Sequence, residues 1–258
     1  MTMPGARLFG LASDFRIGVL FCTRLPLPHS DPVTGADVAR ASWALPVAGA
    51  LVGALGALAY WIGHRAGLPA SVASALALAA TMAATGCLHE DGLADTADGF
   101  GGGKDRTHKL EIMHDSRIGT YGACALAIAI ILRWSALASI ADASAAMVAL
   151  IAAHAAARAP LPAFMRFVPS ARSDGLAASA GVPPWASVVA AGCLGVIVLL
   201  GLGPLDAITA LVLLALAAVL VAWLSMRQIG GQTGDVLGAL EQANEILILL
   251  TVVAMTKG

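Results

Sequence analysis

Long apolar runs alternate with short polar segments along the whole chain. An α-helix needs roughly 20 residues to cross a hydrocarbon core of about 30 Å. Seven apolar runs approach or reach that length, which predicts spans at Trp43–Gly63, Leu68–Leu88, Ile118–Ile140, Ala143–Ala157, Ala186–Gly203, Leu205–Ser225 and Val236–Thr256. The predicted fold class is therefore all-α, a polytopic integral membrane protein with about seven transmembrane helices.

The stretch before the first span is apolar but is interrupted by charged residues. It holds Asp14, Arg16 and Arg24 and has no small-residue cleavage site, so we expect an N-terminal interfacial helix rather than a removable signal peptide. The composition agrees with a membrane location, since 59% of the residues are hydrophobic and 12% are charged. So few polar side chains cannot coat a soluble globule of 258 residues.

The basic residues predict the orientation, because Lys and Arg in short loops are retained on the cytoplasmic side. Apart from Arg133, which lies within a span, only Arg65 and Lys257 fall on the opposite side. The others are Arg7, Arg16, Arg24, Arg40, Lys104, Arg106, Lys109, Arg117, Arg158, Arg166, Arg172 and Arg227. The N-terminus and the polar motifs are thus predicted to face the cytoplasm. The basic residues form no continuous run along the chain, so we expect no nucleic-acid partner.

The four cysteines are far apart and form no CxxC pair. Each lies in or beside an apolar stretch, which favours small buried hydrophobic residues over a disulfide framework or a zinc site.

The densest polar signal is the segment His89–Gly99, which follows directly on the second predicted span. It carries carboxylates at Glu90, Asp91, Asp95 and Asp98. On a helix the three aspartates share one face, where they repel one another unless a cation lies between them. Carboxylate oxygens suit Mg²⁺, with Mn²⁺ as a substitute. The segment therefore predicts a metal site built from these four acids; a solvated acidic helix end is the alternative.

The next segment combines glycines with charged residues. A glycine run leads to Lys104 and Arg106, a pattern that allows close approach to a phosphate but also occurs in flexible loops. Asp115 and Arg117 then flank the third span. One could act as a base and the other could bind a phosphate, or the two could simply pair with each other.

A third polar cluster surrounds the start of the last span. Gln232, Thr233 and Asp235 lie just before it, whereas Glu241 and Glu245 lie one helical turn apart inside it. Acids within the membrane are functional candidates. They could equally face a polar seam between helices or extend to the membrane surface.

Four segments together resemble the cobalamin synthase family, also called adenosylcobinamide-GDP ribazoletransferases. In the family's order, they are Phe21–Pro26, Asp91–Gly99, Ile112–Gly119 and Gly231–Ala239. The resemblance spans most of the chain, and its two middle motifs are highly specific. A looser likeness to CDP-alcohol phosphotransferases rests on Asp95–Gly99, but the other residues of that motif are absent.

The resemblance implies an Mg²⁺-dependent phosphotransferase of the bacterial cytoplasmic membrane. A ribose hydroxyl of α-ribazole, or of its 5′-phosphate, attacks the corrinoid-side phosphate of adenosylcobinamide-GDP and releases GMP, in the final assembly of adenosylcobalamin. We predict one phosphotransferase domain over residues 1–258, with an N-terminal segment at 1–40 and a catalytic segment at 89–117.

The predicted roles combine this reaction with the residue chemistry. Phosphoryl transfer requires charge neutralisation and a base near the attacking hydroxyl. Asp115 is the predicted base, and Arg117 is the predicted phosphate contact beside it. The predicted metal ligands are Glu90, Asp91, Asp95 and Asp98, and the predicted substrate-binding residues are Lys104, Arg106, Gln232, Thr233 and Asp235.

Two alternatives concern the membrane-embedded residues. A transporter with a pathway lined by Glu241, Glu245, His154 and Arg158 would distribute polar residues across the midplane and often shows duplicated halves. The acids cluster on one surface and no repeat is present, which favours an enzyme, and His154 receives no role. A homodimer through the small-residue face of Gly49, Gly53 and Gly56 is left open.

Overall fold

The computed structural model describes residues 4–28, 32–173 and 180–255, with side chains from residue 10 onward. Lys257, the predicted span end at Thr256 and the side chain of Arg7 lie outside the described residues. Within them the fold is almost wholly helical and contains no β-strand, only an isolated bridge between Ser170 and Gln232. This confirms the all-α fold class.

The helices follow one another with short connections. In chain order they are α1 (Pro4–Cys22), α2 (Gly35–Ala41), α3 (Leu45–Arg65), α4 (Ala70–Thr85), α5 (Leu88–Gly102), α6 (Arg106–Ile112), α7 (Thr120–Ser139), α8 (Ala143–Arg158), α9 (Leu161–Phe167), α10 (Trp185–Leu200), α11 (Pro204–Ile229) and α12 (Gly234–Met255). A 3₁₀ turn joins α2 to α3.

Each predicted span coincides with an apolar helix. Five helical stretches are long and apolar enough to cross a membrane: α2 with α3, α7, α8 with α9, α11, and α12. The bent pair of α4 and α5 makes six if it counts as one broken span, and α10 is apolar but shorter. The polytopic architecture is therefore confirmed for the described part of the chain.

The second predicted span ends earlier than expected, and its end positions the acidic segment. Gly86 and Cys87 adopt left-handed conformations, with φ of 64° and 59°. They end α4, and Cys87 N–H closes the helix by donating to the Met82 carbonyl at 2.9 Å. The chain bends by 87° and continues as α5. The acids thus lie on a helix nearly perpendicular to α4.

The glycines of α3 bring that helix against its neighbours within the chain. A Cβ at Gly53 would lie 2.7 Å from Ile151 Cα of α8, and one at Gly56 would lie 2.6 Å from Thr81 Cγ2 of α4. Gly49 faces the backbone of α8 at His154 in the same way. These glycines therefore serve close helix packing inside one chain, and the dimer contact that the sequence left open does not have this face available.

The cysteine expectation holds only in part. All four thiols are free, and Cys22 is buried, but Cys87, Cys124 and Cys193 are exposed. An apolar neighbourhood in a membrane helix does not imply burial, because such a helix also presents apolar side chains to lipid.

Candidate active site

Helices α5 and α12 approach each other at two glycines. A Cβ at Gly92 would lie 2.8 Å from the Asp235 carbonyl oxygen and 3.2 Å from Gly238 Cα. A Cβ at Gly238 would lie 3.2 Å from the His89 carbonyl oxygen. Since only glycine allows backbones to come this close, the two residues bring the acids of α5 beside the start of α12.

The acids line one cavity of about 650 Å³. Asp91 and Asp95 of α5, Asp115 of the loop after α6, and Asp235 of α12 all contribute to its wall. The remaining wall includes apolar side chains from several helices, among them Phe21, Leu45, Leu126, Ile130, Leu161 and Met165. The cavity therefore combines a polar face with an apolar one, as ligand-binding sites usually do.

Asp91 and Asp95 keep their carboxylates free. Among the described residues neither side chain has a hydrogen-bond or ion-pair partner; Asp91 is exposed and Asp95 is half-buried. Four residues apart on one helix, they repel each other unless a cation intervenes. The donor set of this wall consists of carboxylate oxygens, which fits Mg²⁺ or Mn²⁺.

Asp98 differs from these two acids. It is buried, and its two oxygens accept hydrogen bonds from the backbone N–H groups of Gly119 at 2.7 Å and Gly122 at 2.8 Å. It does not line the cavity. Asp98 thus caps the start of α7, where the first N–H groups of a helix lack intrahelical partners.

Glu90 lines the same cavity as the free aspartates, but its carboxylate is paired. Its carboxylate accepts a hydrogen bond at 3.0 Å from Arg133 of α7, and both side chains are buried. The same Arg133 nitrogen lies 3.1 Å from Glu245 Oε2 of α12. Arg133 therefore joins α5 and α12 to α7.

A second guanidinium extends this network. Arg158 Nη1 of α8 lies 2.5 Å from Glu241 Oε1 and 3.4 Å from Glu245 Oε1, and His154 pairs with Glu245. In the described part of the chain, His154, Glu241 and Glu245 are the one group of three potential metal ligands within 4.8 Å of one another. The Arg158 cation already neutralises these carboxylates, so the polar seam is an ion-pair network.

Asp115 and Arg117 form a bidentate pair. Arg117 Nε lies 3.1 Å from both Asp115 oxygens, and Nη2 lies 2.6 Å from Oδ2. Hydrogen bonds from the Arg117 side chain and backbone lower the pKa of Asp115, which keeps the carboxylate ionised. Asp115 faces the cavity, whereas the Arg117 side chain is exposed and lies outside its wall.

Asp235 is held at the cavity by its neighbours. Thr233 donates its hydroxyl hydrogen to Asp235 Oδ2 at 3.1 Å, and Arg172 Nη2 lies 3.3 Å from the same oxygen. Gln232 is buried, and its backbone bonds with Pro169 and Ala171. The third predicted cluster thus contributes Thr233 and Asp235 to the site and uses Gln232 mainly to fix the loop.

The two basic residues predicted to bind substrate, Arg106 and Lys104, lie in different surroundings. Arg106 lines a smaller cavity of about 430 Å³ beside the first and donates to the Ala171 carbonyl at 3.0 Å. Lys104 lines neither of these cavities, and its side chain is exposed. Of the described residues predicted to bind substrate, Lys104 and Gln232 lie outside both cavity walls.

Comparison with known proteins identifies the family. The family described as cobalamin-5-phosphate synthase matches residues 14–253. The adenosylcobinamide-GDP ribazoletransferase of Bradyrhizobium diazoefficiens is 57% identical over 99% of both chains. The Mesorhizobium japonicum protein of that name is 53% identical over 93% of this chain and 92% of its own, and the Ralstonia pickettii protein is 43% identical over 89% and 90%. This chain belongs to the cobalamin-5-phosphate synthase family.

The match places every motif of the site within the cobalamin-5-phosphate synthase family region. The acidic helix α5, the Asp115 loop, the ion-pair network and Asp235 all fall between residues 14 and 253. The resemblance stated from sequence is thereby confirmed. No solved structure matches the chain.

Sequence reasoning missed three residues that this family member uses around the site. Arg133 carries a charge in the middle of an apolar span, a signal that marks functional or paired residues. His89, whose ring lies 3.4 Å from Arg158, continues the same buried network. Arg172 had no local signal, because its position beside Asp235 arises only when distant segments fold together.

Proposed function

We propose that this chain is an Mg²⁺-dependent adenosylcobinamide-GDP ribazoletransferase, built as one membrane-embedded domain. The observation that carries the proposal is the pair of unpartnered carboxylates, Asp91 and Asp95, on a cavity wall that also holds Asp235 and Arg172. The names of the relatives support the substrate pair, and the all-oxygen donor set supports the metal.

In the proposed reaction a ribose hydroxyl oxygen of α-ribazole, or of its 5′-phosphate, bonds to the corrinoid-side phosphorus. The bond from that phosphorus to the bridging oxygen of the diphosphate breaks, and GMP leaves with that oxygen. A phosphodiester remains between the corrinoid side chain and the ribose. The hydroxyl proton must be accepted by a group beside the attacking oxygen.

Different residues of the chain would bind the metal, accept the proton and exclude water in this reaction. Asp91, Asp95 and Asp235 would hold Mg²⁺, which when bound supplies positive charge to the phosphate oxygens. Glu90 is left out of the proposed set because its carboxylate pairs with the buried Arg133 cation, and Asp98 is left out because both of its oxygens accept backbone hydrogen bonds. Asp115 would accept the hydroxyl proton, because its ionised carboxylate lines the cavity and Arg117 holds it in place. The apolar wall would exclude water and hold the base of the acceptor.

The test is release of GMP by the purified protein in detergent. We expect release when adenosylcobinamide-GDP and either form of α-ribazole are present with Mg²⁺, and none with EDTA. Folded protein that turns over neither acceptor would overturn the proposal. CDP-diacylglycerol with a small alcohol serves as the comparison, since activity on that pair alone would favour a CDP-alcohol phosphotransferase.

We further propose that the N-terminus and the cavity face the cytoplasm from the inner membrane, with lipid around the spans. The asymmetry of Lys and Arg between the connecting segments supports this orientation. A cysteine-free variant carrying Lys104→Cys should react with an impermeant maleimide in inverted vesicles but not in right-side-out vesicles. Ala141→Cys, in the connection between α7 and α8, should give the reverse, and the opposite labelling of both would reject the orientation.

A further inference from the structure

The large cavity adjoins a second one that the reaction, as described so far, does not use. This smaller cavity lies between α6 and residues 168–173, and its wall consists of Arg106, Thr107, Leu110, Glu111, His114 and Arg172. His114 and Arg172 line both cavities. The charges differ: the large cavity is lined by five carboxylates and one guanidinium group, whereas the smaller one has two guanidinium groups and one carboxylate.

Arg172 lies at the boundary between these cavities. Its Nη2 lies 3.3 Å from Asp235 Oδ2, and its Nη1 lies 3.1 Å from His114 Nδ1. Arg172 Nε is buried and has no hydrogen-bond partner among the described residues. The guanidinium is therefore shared between the acidic site and the second cavity, and its Nε donor is unpaired within the described part of the chain.

The contact between Arg172 and His114 determines which nitrogen of the His114 ring can donate a hydrogen bond. A guanidinium can only donate hydrogen bonds, so His114 Nδ1 is the acceptor in this pair. The neutral ring then carries its proton on Nε2, where it remains a donor. Arg172 and His114 together present N–H groups at the boundary and no carboxylate.

Arg106 adds the second cation to the wall of the smaller cavity. Its Nη2 donates to the Ala171 carbonyl at 3.0 Å, which ties α6 to the segment that carries Arg172. The guanidinium also lies beside Gly230, where a Cβ would be 3.4 Å from Arg106 Cζ. Planar guanidinium groups fixed in this way are well suited to the oxygens of a phosphate.

We propose that this basic cavity binds the phosphate of the departing nucleoside monophosphate, and that Arg172 spans the diphosphate bond that breaks. The inference rests on the proposed function. A diphosphate has two anionic groups, and carboxylates without a cation repel both. One phosphate then lies at the aspartates of the large cavity, and the other lies at Arg172, Arg106 and the N–H of His114. When the bridging bond breaks, the electron pair stays on the departing phosphate oxygen, where fixed donors stabilise the added charge.

The experiment measures binding of GMP itself to the full-length protein in detergent, by equilibrium dialysis with labelled nucleotide. Arg172→Gln and Arg106→Gln should each weaken GMP binding roughly tenfold to a hundredfold, the range for a lost charge-assisted hydrogen bond. Inorganic phosphate should compete and guanosine should compete poorly, because the cavity recognises the phosphate. Arg227→Gln, which removes a basic residue outside both cavities, should leave binding unchanged.

Glu111→Gln tests whether weaker GMP binding in the arginine variants could be explained by misfolding. This exposed carboxylate lies in the cavity wall, so its neutralisation should tighten GMP binding, a gain that a damaged fold does not produce. If the parent protein turns over its substrate and Arg172→Gln binds GMP as tightly as the parent does, the inference is overturned and the proposed function stands. Guanosine competing as well as GMP would also overturn it. Wild-type protein that releases no GMP from adenosylcobinamide-GDP would instead reject the proposed function.

Discussion

Arg133 Nη1 of α7 lies 3.0 Å from Glu90 Oε1 of α5, and both side chains are buried. The pair connects the helix that carries the cavity aspartates to a membrane-spanning helix. Because Glu245 of α12 lies 3.1 Å from the same nitrogen, one cation holds the two helices that meet at the site.

We expect Arg133→Gln to destabilise the fold strongly. Removing the cation leaves Glu90 and Glu245 buried without their shared partner, which costs about 3–5 kcal/mol. Thermal unfolding in detergent measures the effect, with exposed Arg65→Gln as the control. Adding Glu90→Gln to the variant should recover part of the loss, and an unchanged unfolding temperature in Arg133→Gln would contradict the role of the pair.

Gly92→Ala should separate α5 from α12. The added methyl group would lie 2.8 Å from the carbonyl oxygen of Asp235 and 3.0 Å from the Cα of Asp235. These are backbone atoms, which cannot move aside as a flexible side chain can. Displacement of the aspartates by about 1 Å should lower the turnover rate on the order of 100-fold.

The matched control for that change is Gly192→Ala in α10, where nothing lies within 4 Å of the new Cβ. Alanine favours a helix by about 1 kcal/mol over glycine, so this variant should be as active and as stable as the parent, or slightly more stable. Equal activity of Gly92→Ala and the parent would show that the close helix contact does not position the site.

Asp95→Asn should weaken metal binding as well as activity. We expect turnover to fall on the order of 100-fold or more, since a bound cation supplies several kcal/mol of charge stabilisation. Binding of Mn²⁺, followed by electron paramagnetic resonance, gives a measurement independent of turnover. Asp206→Asn, at the start of α11, is the matched control. Unaltered Mn²⁺ binding in Asp95→Asn would remove this residue from the proposed ligands.

Asp98→Asn should act on stability rather than on metal binding. The amide can supply one acceptor where the carboxylate supplies two, so either Gly119 or Gly122 loses its partner, at about 1–3 kcal/mol. Asp142→Asn is the control, because asparagine caps a helix as well as aspartate does. Weaker Mn²⁺ binding with unchanged unfolding would return Asp98 to the metal ligands.

The acidic limb of the pH–rate profile should respond to Arg117. In the parent, Arg117 lowers the pKa of Asp115, so the carboxylate base persists to lower pH. Arg117→Gln lets that pKa rise toward its ordinary value, and the acidic limb of kcat/KM should move to higher pH. Arg227→Gln should leave the limb in place. A limb that does not move in Arg117→Gln would exclude Asp115 as the base.

The sequence by itself determined the helical membrane architecture and the candidate acids of α5. Apolar runs of nearly 20 residues have few other stable forms, because in lipid the backbone must satisfy its own hydrogen bonds. The acidic motif of α5 is local, so Asp91 and Asp95 could be found without knowing what surrounds them. The family followed from these motifs for the same reason.

Only the tertiary structure decided which charges are available for chemistry. Asp98 resembles Asp95 in sequence, yet it caps α7, because α5 and α7 come together through contacts between distant segments. Arg172 reaches Asp235 across more than 60 residues of chain. Pairing between side chains on different helices depends on helix rotation and separation, and periodicity along one helix contains neither quantity.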